Sequence, residues 1–224
     1  MQPSPTFFNR IAPFYGQQWT IEEESRRAAA ALVKKLAQLC AGRSVMLEVG
    51  CGNGRTLANL PEGMIGLDYS MEMLREARLR APSARLVLGS ATSLPFRRGR
   101  VDILVAVNVI HNHDDVSPWL REFRAAAKSL VVDFRNFRSP VVLYKYLKYR
   151  NTLAINYHPH YPGRFRRMLR DAGWRDVSFK SVHRPITDPK EGFLLRHVAG
   201  WLLSLLPGLS PCYVCCCSGY REES

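Results

Sequence analysis

Two hydrophobic periods alternate along the chain, and each change of period marks the boundary of a predicted element. Short apolar runs that end at glycine, asparagine or aspartate are typical of buried parallel strands. Between them, apolar residues recur every three or four positions, as on one face of a helix. The predicted strands are Val45–Val49, Met64–Leu67, Arg85–Leu88, Val101–Val107, Leu130–Asp133, Val177–His183 and Cys212–Tyr220.

The segments between these runs predict helices. They are Ile21–Cys40, Arg55–Leu60, Met71–Arg80, Trp119–Lys128, Arg164–Ala172 and a stretch within Glu191–Leu206. Strands spaced by helix-sized segments indicate an α/β fold, Rossmann-like and doubly wound, with a mostly parallel seven-stranded sheet and helices on both faces. A chain of 224 residues fits one such domain.

Composition excludes extended disorder, because 46% of the residues are apolar and only 23% are charged. The net charge of +13 is high for a globular enzyme, and arginine supplies most of it. Arginine suits capture of phosphate or carboxylate, so the charge fits nucleic acid, an anionic membrane surface or an acidic substrate. An arginine-rich solvated surface explains it equally well.

The residues Met1–Arg10 lack the basic start and apolar run of a secretory signal. The longest apolar stretch, Gly192–Gly208, is interrupted by Arg196 and His197, and it is shorter than the roughly 20 residues that cross a bilayer. We therefore expect a cytoplasmic protein, for which peripheral membrane contact stays open.

Four of the six cysteines lie in the run Cys212–Cys217. A structural zinc site usually needs two Cys-x-x-Cys pairs or matching histidines, and no second pair is present in the sequence. Because free cysteine behaves as a small hydrophobic residue, the run predicts a buried strand and no metal site.

The most informative segment is Val45-Met-Leu-Glu-Val-Gly-Cys-Gly-Asn-Gly54. A strand that ends in glycines and opens a helix lets backbone N–H groups approach a ligand closely. As a dinucleotide fingerprint it fails, because the pattern needs glycine where Arg55 stands. A tight strand-to-helix turn without a ligand is the alternative. Glu48 followed by Gly50, Gly52 and Gly54 resembles the cofactor loop of class I methyltransferases that depend on S-adenosylmethionine (SAM).

Three further segments extend this resemblance in the expected order. Asp68 ends the second strand, about 20 residues after the first strand, where an acidic residue can accept hydrogen bonds from ribose hydroxyls. The segment Gly89–Phe96 is similar to the family's Gly-Asp-Ala-x-x-Leu-Pro-Phe, but Ser90 replaces the aspartate that takes the adenine amino group. The run Val101–Asp114 resembles the family's fourth strand with its two histidines.

The resemblance covers about Phe7–Asp133 and is greatest to ubiquinone- and menaquinone-pathway methyltransferases, whose N-terminal segment is similar to Phe8–Tyr15. It implies SAM as the cofactor. It also implies an N-terminal helical cap at 1–42, a SAM-binding half at 43–134 and an acceptor-side half at 135–224. The cofactor-binding residues it implies are Tyr15, Glu48, Gly50, Cys51, Gly52, Asp68, Tyr69, Met73, Ser90, Ala91 and Asn108.

Candidate catalytic residues follow the fourth strand, because ligands bind beyond the carboxyl ends of parallel strands. His111 and His113 are candidate general bases, since histidine titrates near neutrality, although either could simply shape the chain. The aromatic and imidazole groups of Tyr157, His158 and His160 are candidate acceptor-binding residues. The most basic stretch of the chain surrounds them and suggests an anionic acceptor or lipid head group. This basic surface is predicted to consist of Arg135, Arg138, Lys145, Lys148, Arg150, Arg164, Arg166 and Arg167.

The sequence therefore predicts a SAM-dependent methyltransferase with a small-molecule acceptor, anionic or lipophilic. An RNA methyltransferase is the alternative, although the Asn/Asp-Pro-Pro-Tyr of exocyclic-amine enzymes is replaced by Asn108-Val-Ile-His. A non-catalytic SAM-binding or scaffold protein is a third possibility, suggested by Ser90 and by a missing glycine turn before strand five.

Overall fold

The fold is built around one sheet, seen in a computed structural model that describes residues 5–12, 23–39, 44–110, 113, 115–149, 158–182, 207–210 and 212–219. The strands are β1 Met46–Val49, β2 Ile65–Asp68, β3 Arg85–Leu88, β4 Val101–Ala106, β5 Ala127–Arg135, β6 Trp174–Val182 and β7 Cys212–Gly219. The helices are α1 Pro5–Ile11, α2 Glu23–Leu39, α3 Met71–Arg80, α4 Ser117–Ala126, α5 Pro140–Tyr149 and α6 Pro162–Asp171.

The seven strands lie in the order β3-β2-β1-β4-β5-β7-β6. The first five are parallel, and β7 is antiparallel to both β5 and β6. The predicted Rossmann-like sheet is confirmed. Chain order reverses between β1 and β4, and such a switch point opens the crevice in which this class of sheet binds ligands.

Two apolar layers cover the sheet, one on each face. One contains Phe123, Phe134, Phe165 and Trp174, and the other contains Val33 of α2 together with Val105 and Val214 from the strands. The cysteine run lies in β7, where Cys212, Cys215 and Cys217 are buried, so the predicted buried strand is confirmed. No helix in the described ranges combines the length and apolar character needed to cross a membrane.

Two predicted elements differ from the structure. The helix predicted over Arg55–Leu60 is only a 3-10 turn, Leu57–Asn59, followed by the extended residue Leu60. Pro61 explains this, because a residue that precedes proline is driven out of the helical region. The strand predicted at Leu130–Asp133 is longer, spanning Ala127–Arg135, because it pairs with β4 on one side and β7 on the other.

Other boundaries shift by a few residues. The helix α4 begins at Ser117 with Pro118 in its first turn, and it ends where Ala127 becomes extended. The strand β6 begins at Trp174 and contains a bulge at Asp176, whose φ is 48°. The helix α5 was not predicted from the sequence. The predicted helical stretch within Glu191–Leu206 lies outside the described residues.

Candidate functional site

The glycine turn after β1 forms the floor of the crevice at the switch point. The amides of Gly50 and Cys51 both donate to the carbonyl of Leu67, at 2.7 and 3.1 Å, which ties the turn to β2. Gly50, Gly52 and Gly54 have φ of 68°, 50° and 79°, the left-handed region that favours glycine. A Cβ at Gly54 would lie 2.9 Å from the Cα of Ala77, so this glycine lets the turn approach α3.

Space above Gly52 distinguishes it from its neighbours. A Cβ built there meets no atom within 4 Å, whereas one on Gly50 would lie 2.5 Å from a methyl carbon of Val109. Gly50 therefore packs against the segment after β4, while Gly52 faces open space. The turn can thus admit a ligand at Gly52 without moving the chain.

Asp68 joins the two loops that border the crevice. Its carboxylate accepts the amide of Gly52 at 2.8 Å and the amide of Ser70 at 2.9 Å, one on each oxygen. Burial raises the pKa of this carboxyl, and the amide hydrogen bonds oppose that rise. A carboxylate has about four lone-pair sites, so each oxygen retains capacity for a ligand hydroxyl.

Glu48 is a second buried carboxyl beneath the turn, with 1% of its surface exposed. Its pKa is raised to about 8, chiefly by burial and in smaller part by the nearby charge of Asp68. Hydrogen bonds with the Thr56 side chain and the Leu57 backbone, and the charge of Arg26, act in the opposite direction. Glu48 therefore holds the segment after the glycines in place.

The Asp68 carboxylate is the negative group of the crevice, because Glu48, with a pKa of about 8, is largely protonated at pH 7. Both carboxyl groups contribute to raising the pKa of the buried Cys51 thiol, although burial is the larger cause. A pyrophosphate would be repelled by such a site, whereas a ligand with a cationic centre and hydroxyl groups suits it. The residues thus fit a nucleoside that carries a sulfonium and an amine.

The residues predicted to border the adenine differ in how far they are buried. Tyr69 is half-buried, and its ring centroid lies 5.7 Å from that of Phe8. Met73 is only 1% exposed and forms part of the core beneath the site. Ser90 is exposed, and its hydroxyl lies 2.8 Å from the hydroxyl of Thr92, so it stabilises its own turn. Ala91, beside it, packs against the core.

The N-terminal helix lies against this side of the site. The Ser70 hydroxyl, which caps α3 by accepting the amide of Met73 at 3.2 Å, donates to the side-chain oxygen of Asn9 at 2.6 Å. Asn9 was not found from the sequence, because nothing local marks a contact between positions 61 residues apart. Tyr15 lies outside the described residues.

Asn108 stands at the end of β4 with a left-handed backbone, φ 62°. Its backbone N–H donates to the Asp133 carboxylate at 2.6 Å, and its side-chain oxygen accepts from Arg135 at 2.7 Å. Asp133 is fully buried and Arg135 is 6% exposed, and both lie at the carboxyl end of β5. Sequence reasoning missed this pair as part of the site.

His113 is the described member of the two candidate bases; His111 lies outside the described residues. The His113 ring lies 4.1 Å from the Trp119 ring. The pKa of His113 is lowered to about 4, chiefly by burial and in smaller part by the charge of His158. Its imidazole is therefore neutral at pH 7, the state in which a histidine can accept a proton.

The segment before α6 meets the end of β5. His160 is 3% exposed, its amide donates to the Arg135 carbonyl at 2.8 Å, and its ring lies 5.6 Å from that of Phe165. His158 is partly exposed and close enough to affect His113 electrostatically. The structure thus brings these histidines to one end of the sheet. Tyr157 lies outside the described residues.

The basic residues near this end divide into two groups. Arg138, Arg164 and Arg167 are exposed. Arg135 is buried against Asn108, and Arg166 donates to the Val177 carbonyl at 2.5 Å and lies 4.5 Å from the centre of the Phe179 ring. The predicted basic surface therefore does not include Arg135, and Arg166 is engaged with the protein.

The sequence profile of the methyltransferase domain family matches residues 47–130, the part of the chain that holds the glycine turn, Asp68 and Asn108. Residues 47–130 are therefore similar to methyltransferase domains. The match ends within β5 and does not extend to the residues that follow this strand.

Curated relatives agree with this assignment. A protein of Mycolicibacterium smegmatis described as a probable SAM-dependent methyltransferase is 33% identical over 99 residues, 43% of this chain and 38% of that protein. A tRNA (carboxymethyluridine(34)-5-O)-methyltransferase of Saccharomyces cerevisiae is 28% identical, over 47% of this chain and 36% of that enzyme. The chain thus spans well under half of the length of these two relatives.

A longer match is found to a demethylmenaquinone methyltransferase of Roseiflexus castenholzii, 24% identical over 166 residues, 61% of this chain and 70% of that enzyme. Among solved structures, a SAM-dependent methyltransferase of Thermotoga maritima superimposes with a TM-score of 0.70 at 18% identity, over 95% of this chain and 98% of that one. The superposition supports the fold of the methyltransferase domain over nearly its whole length.

Proposed function

We propose that this chain transfers the methyl group of SAM to a small-molecule acceptor that is anionic or lipophilic. The observation that carries the proposal is the grouping of Gly52, Glu48, Asp68 and Asn108 around one crevice at the switch point of a methyltransferase domain. The crevice offers an open glycine turn and two buried carboxyl groups to a cationic nucleoside.

Each residue has a definite task in this proposal. Bound SAM supplies a methyl group that is already activated by its charged sulfur. Asp68 accepts the ribose hydroxyls with its remaining lone pairs, and the main chain at Gly50–Gly54 borders the amino-acid part. Catalysis then rests mainly on alignment, because holding reactants about 3–3.5 Å apart can contribute several kcal/mol.

A base is needed only when the acceptor must lose a proton. His113 lies in the segment after β4 and is neutral at pH 7, so it can accept that proton. His158 lies near it and borders the same end of the sheet. We assign His113 the base role and His158 a role in orienting the acceptor.

The small-molecule acceptor is favoured by how far the alignments reach. The Roseiflexus enzyme aligns with 61% of this chain and with 70% of its own length. The yeast tRNA enzyme aligns with 47% of this chain and 36% of itself. The longer alignment with an enzyme named for a small-molecule acceptor supports a small acceptor here.

An anionic acceptor is favoured by the charge near the crevice. Arg138 follows β5, and Arg164 lies in the first turn of α6. The pKa of Asp115, after β4, is lowered first by hydrogen bonds from Ser117 and further by the charges of Arg121 and Arg164. Arg164 therefore lies close to the segment that carries His113.

An RNA acceptor is the second candidate, supported by the net charge of +13 and by the yeast relative. The test is to incubate the purified chain with radiolabelled SAM and either a small-molecule and lipid extract or total tRNA. We expect label in the extract and none in tRNA, and no label with Asp68→Ala. Labelled tRNA alone would establish the second candidate; a chain that binds SAM but labels neither pool would support a non-catalytic role.

The anionic acceptor has its own test. Changing Arg138, Arg164 and Arg167 to glutamine should raise KM for the acceptor and leave KM for SAM unchanged. The matched control changes Arg97, Arg98 and Arg100, three exposed arginines that precede β4 and therefore lie at the opposite end of the sheet. An equal rise of KM in both variants would indicate a general charge effect and refute the proposal.

A further inference from the structure

We infer that Asp133 and Arg135 are positioning residues that present the side-chain nitrogen of Asn108 to the carboxylate in the amino-acid part of the cofactor. The inference rests on the proposed function and assigns to this chain a carboxylate-binding group in the same crevice. It follows from the backbone of Asn108, the orientation of its amide and the charges around it.

The backbone of Asn108 is held in an unusual conformation. Its φ of 62° lies in the left-handed region, which asparagine tolerates better than most residues but still at an energetic cost. The hydrogen bond from its backbone N–H to the Asp133 carboxylate, at 2.6 Å, holds the chain in that region. Asp133 therefore fixes the direction in which the Asn108 side chain leaves the main chain.

The orientation of the Asn108 amide follows from its partner. A guanidinium group only donates hydrogen bonds, so the atom 2.7 Å from the Arg135 nitrogen must be the Asn108 oxygen. The amide nitrogen Nδ2 then points the other way. It has no hydrogen-bond partner among the residues that the structure describes. Arg135 thus orients the side-chain NH₂ group of Asn108, which can donate two hydrogen bonds, away from the guanidinium.

The ion pair between Arg135 and Asp133 orients the Asn108 side chain and contributes little to the stability of the fold. The guanidinium and carboxylate of Arg135 and Asp133 are 3.7 Å apart, beyond hydrogen-bond distance, with 7% and 0% of their side chains exposed. The desolvation of such a buried pair largely offsets its attraction. The Cys212 thiol, 3.8 Å from the second oxygen of Asp133, helps to fix that carboxylate.

The position of Asn108 identifies the ligand group. Val109, the next residue, contacts Gly50, so Asn108 lies beside the glycine turn that borders the amino-acid part of SAM. The Asp68 carboxylate beside that turn suits the amine and the sulfonium. The carboxylate of the same ligand needs N–H donors, and Asn108, held by Arg135, supplies them.

The test measures, by calorimetry, the affinity for SAM and for its decarboxylated analogue. Asn108→Asp keeps the oxygen that accepts from Arg135 but replaces the outward N–H donors with an oxygen. We expect it to weaken SAM about tenfold or more and to leave the affinity for the analogue within about twofold, since a hydrogen bond to a charged group is worth about this much. Equal weakening of both ligands would overturn the inference.

The role of Arg135 is tested by a double-mutant cycle, which separates positioning from structural support. Arg135→Gln should reduce the preference for SAM over the analogue several-fold in the wild-type background and not at all in Asn108→Ala. An equal reduction in both backgrounds would refute positioning through Asn108. Where Arg135→Gln does not fold, Arg135→Lys keeps the charge and is judged by the same comparison. A wild-type chain that binds neither ligand would refute the proposed function itself, a result distinct from both.

Discussion

The two ends of the crevice are built in different ways. At the β1 and β2 end, neighbouring loops are joined by hydrogen bonds that main-chain amides donate: that of Gly50 to the Leu67 carbonyl, and those of Gly52 and Ser70 to the Asp68 carboxylate. At the β4 and β5 end, side chains do this work, because Asn108 is held by Asp133 and Arg135, which are 25 and 27 positions away. Main-chain contacts determine which positions must be glycine. Side-chain contacts determine which groups face the ligand.

This difference separates the tasks that we propose for the two ends. The first end needs close approach of the chain, which glycine alone allows at positive φ. The second end needs donors and a proton acceptor held at fixed angles, which buried side-chain networks provide. A change at the first end should therefore affect folding and cofactor affinity together, and a change at the second should affect ligand binding or turnover with the fold intact.

The largest expected effect is at Gly54. Gly54→Ala places a Cβ 2.9 Å from the Ala77 backbone at φ 79°, so strain and overlap should together lower the free energy of unfolding by about 3 kcal/mol. Gly63→Ala is the control, because it has φ 78° and open space around the added carbon. It should lose only the strain, about 1–2 kcal/mol. Urea unfolding measures both, and equal losses would contradict the packing argument.

At the other end, His113→Phe keeps an aromatic ring beside Trp119 and removes the proton acceptor. We expect kcat to fall about 100-fold or more while the melting temperature changes little. In the wild type, the pKa of about 4 means that His113 is neutral above pH 5, so it should cause no decline of kcat between pH 8 and 5. A decline centred near pH 6.5 that His113→Phe abolishes would contradict this assignment.

A smaller effect sharpens the comparison at Glu48. Its pKa of about 8 in the folded chain exceeds its ordinary value of 4.5, so the folded state favours the protonated form. Its contribution to stability is fully present below pH 4.5 and is lost as the pH rises through 8. Glu48→Gln should remove this loss, on the order of 1–3 kcal/mol after relaxation of the site.

Urea unfolding of the two chains between pH 5 and 9 measures that difference. We expect the wild type to lose stability relative to Glu48→Gln across this range. A difference between the two chains that does not vary with pH would show that Glu48 is ionised in the folded state throughout.

The sequence predicted the first end of the crevice well, because its signals are local. A strand that stops at three spaced glycines indicates a turn, and an acidic residue at the end of the next strand lies beside it. The helix predicted after Gly54 failed for a local reason as well, since Pro61 prevents the turn of Leu57–Asn59 from continuing. Such errors change a boundary and leave the site in place.

The second end depends on contacts that no local pattern reveals. Asp133 looked like the end of a strand and Arg135 like part of a basic surface, yet both are buried beside Asn108. Arg26, on a helix face of small apolar residues, is 3% exposed and close enough to Glu48 to lower its pKa. The helix α5 was missed because its valines and tyrosines suit strands as much as helices, and Leu143 and Leu147 are exposed.

Calorimetric titration of SAM into the wild-type chain and into Asp68→Ala tests the central claim, that Asp68 and the glycine turn bind a cationic nucleoside. We predict saturable binding to the wild type with one site per chain. Removing the carboxylate should weaken binding at least tenfold, because it also releases Gly52 and Ser70 from their shared acceptor. Equal affinity in the two chains, or no heat with the wild type at saturating SAM, would contradict the account.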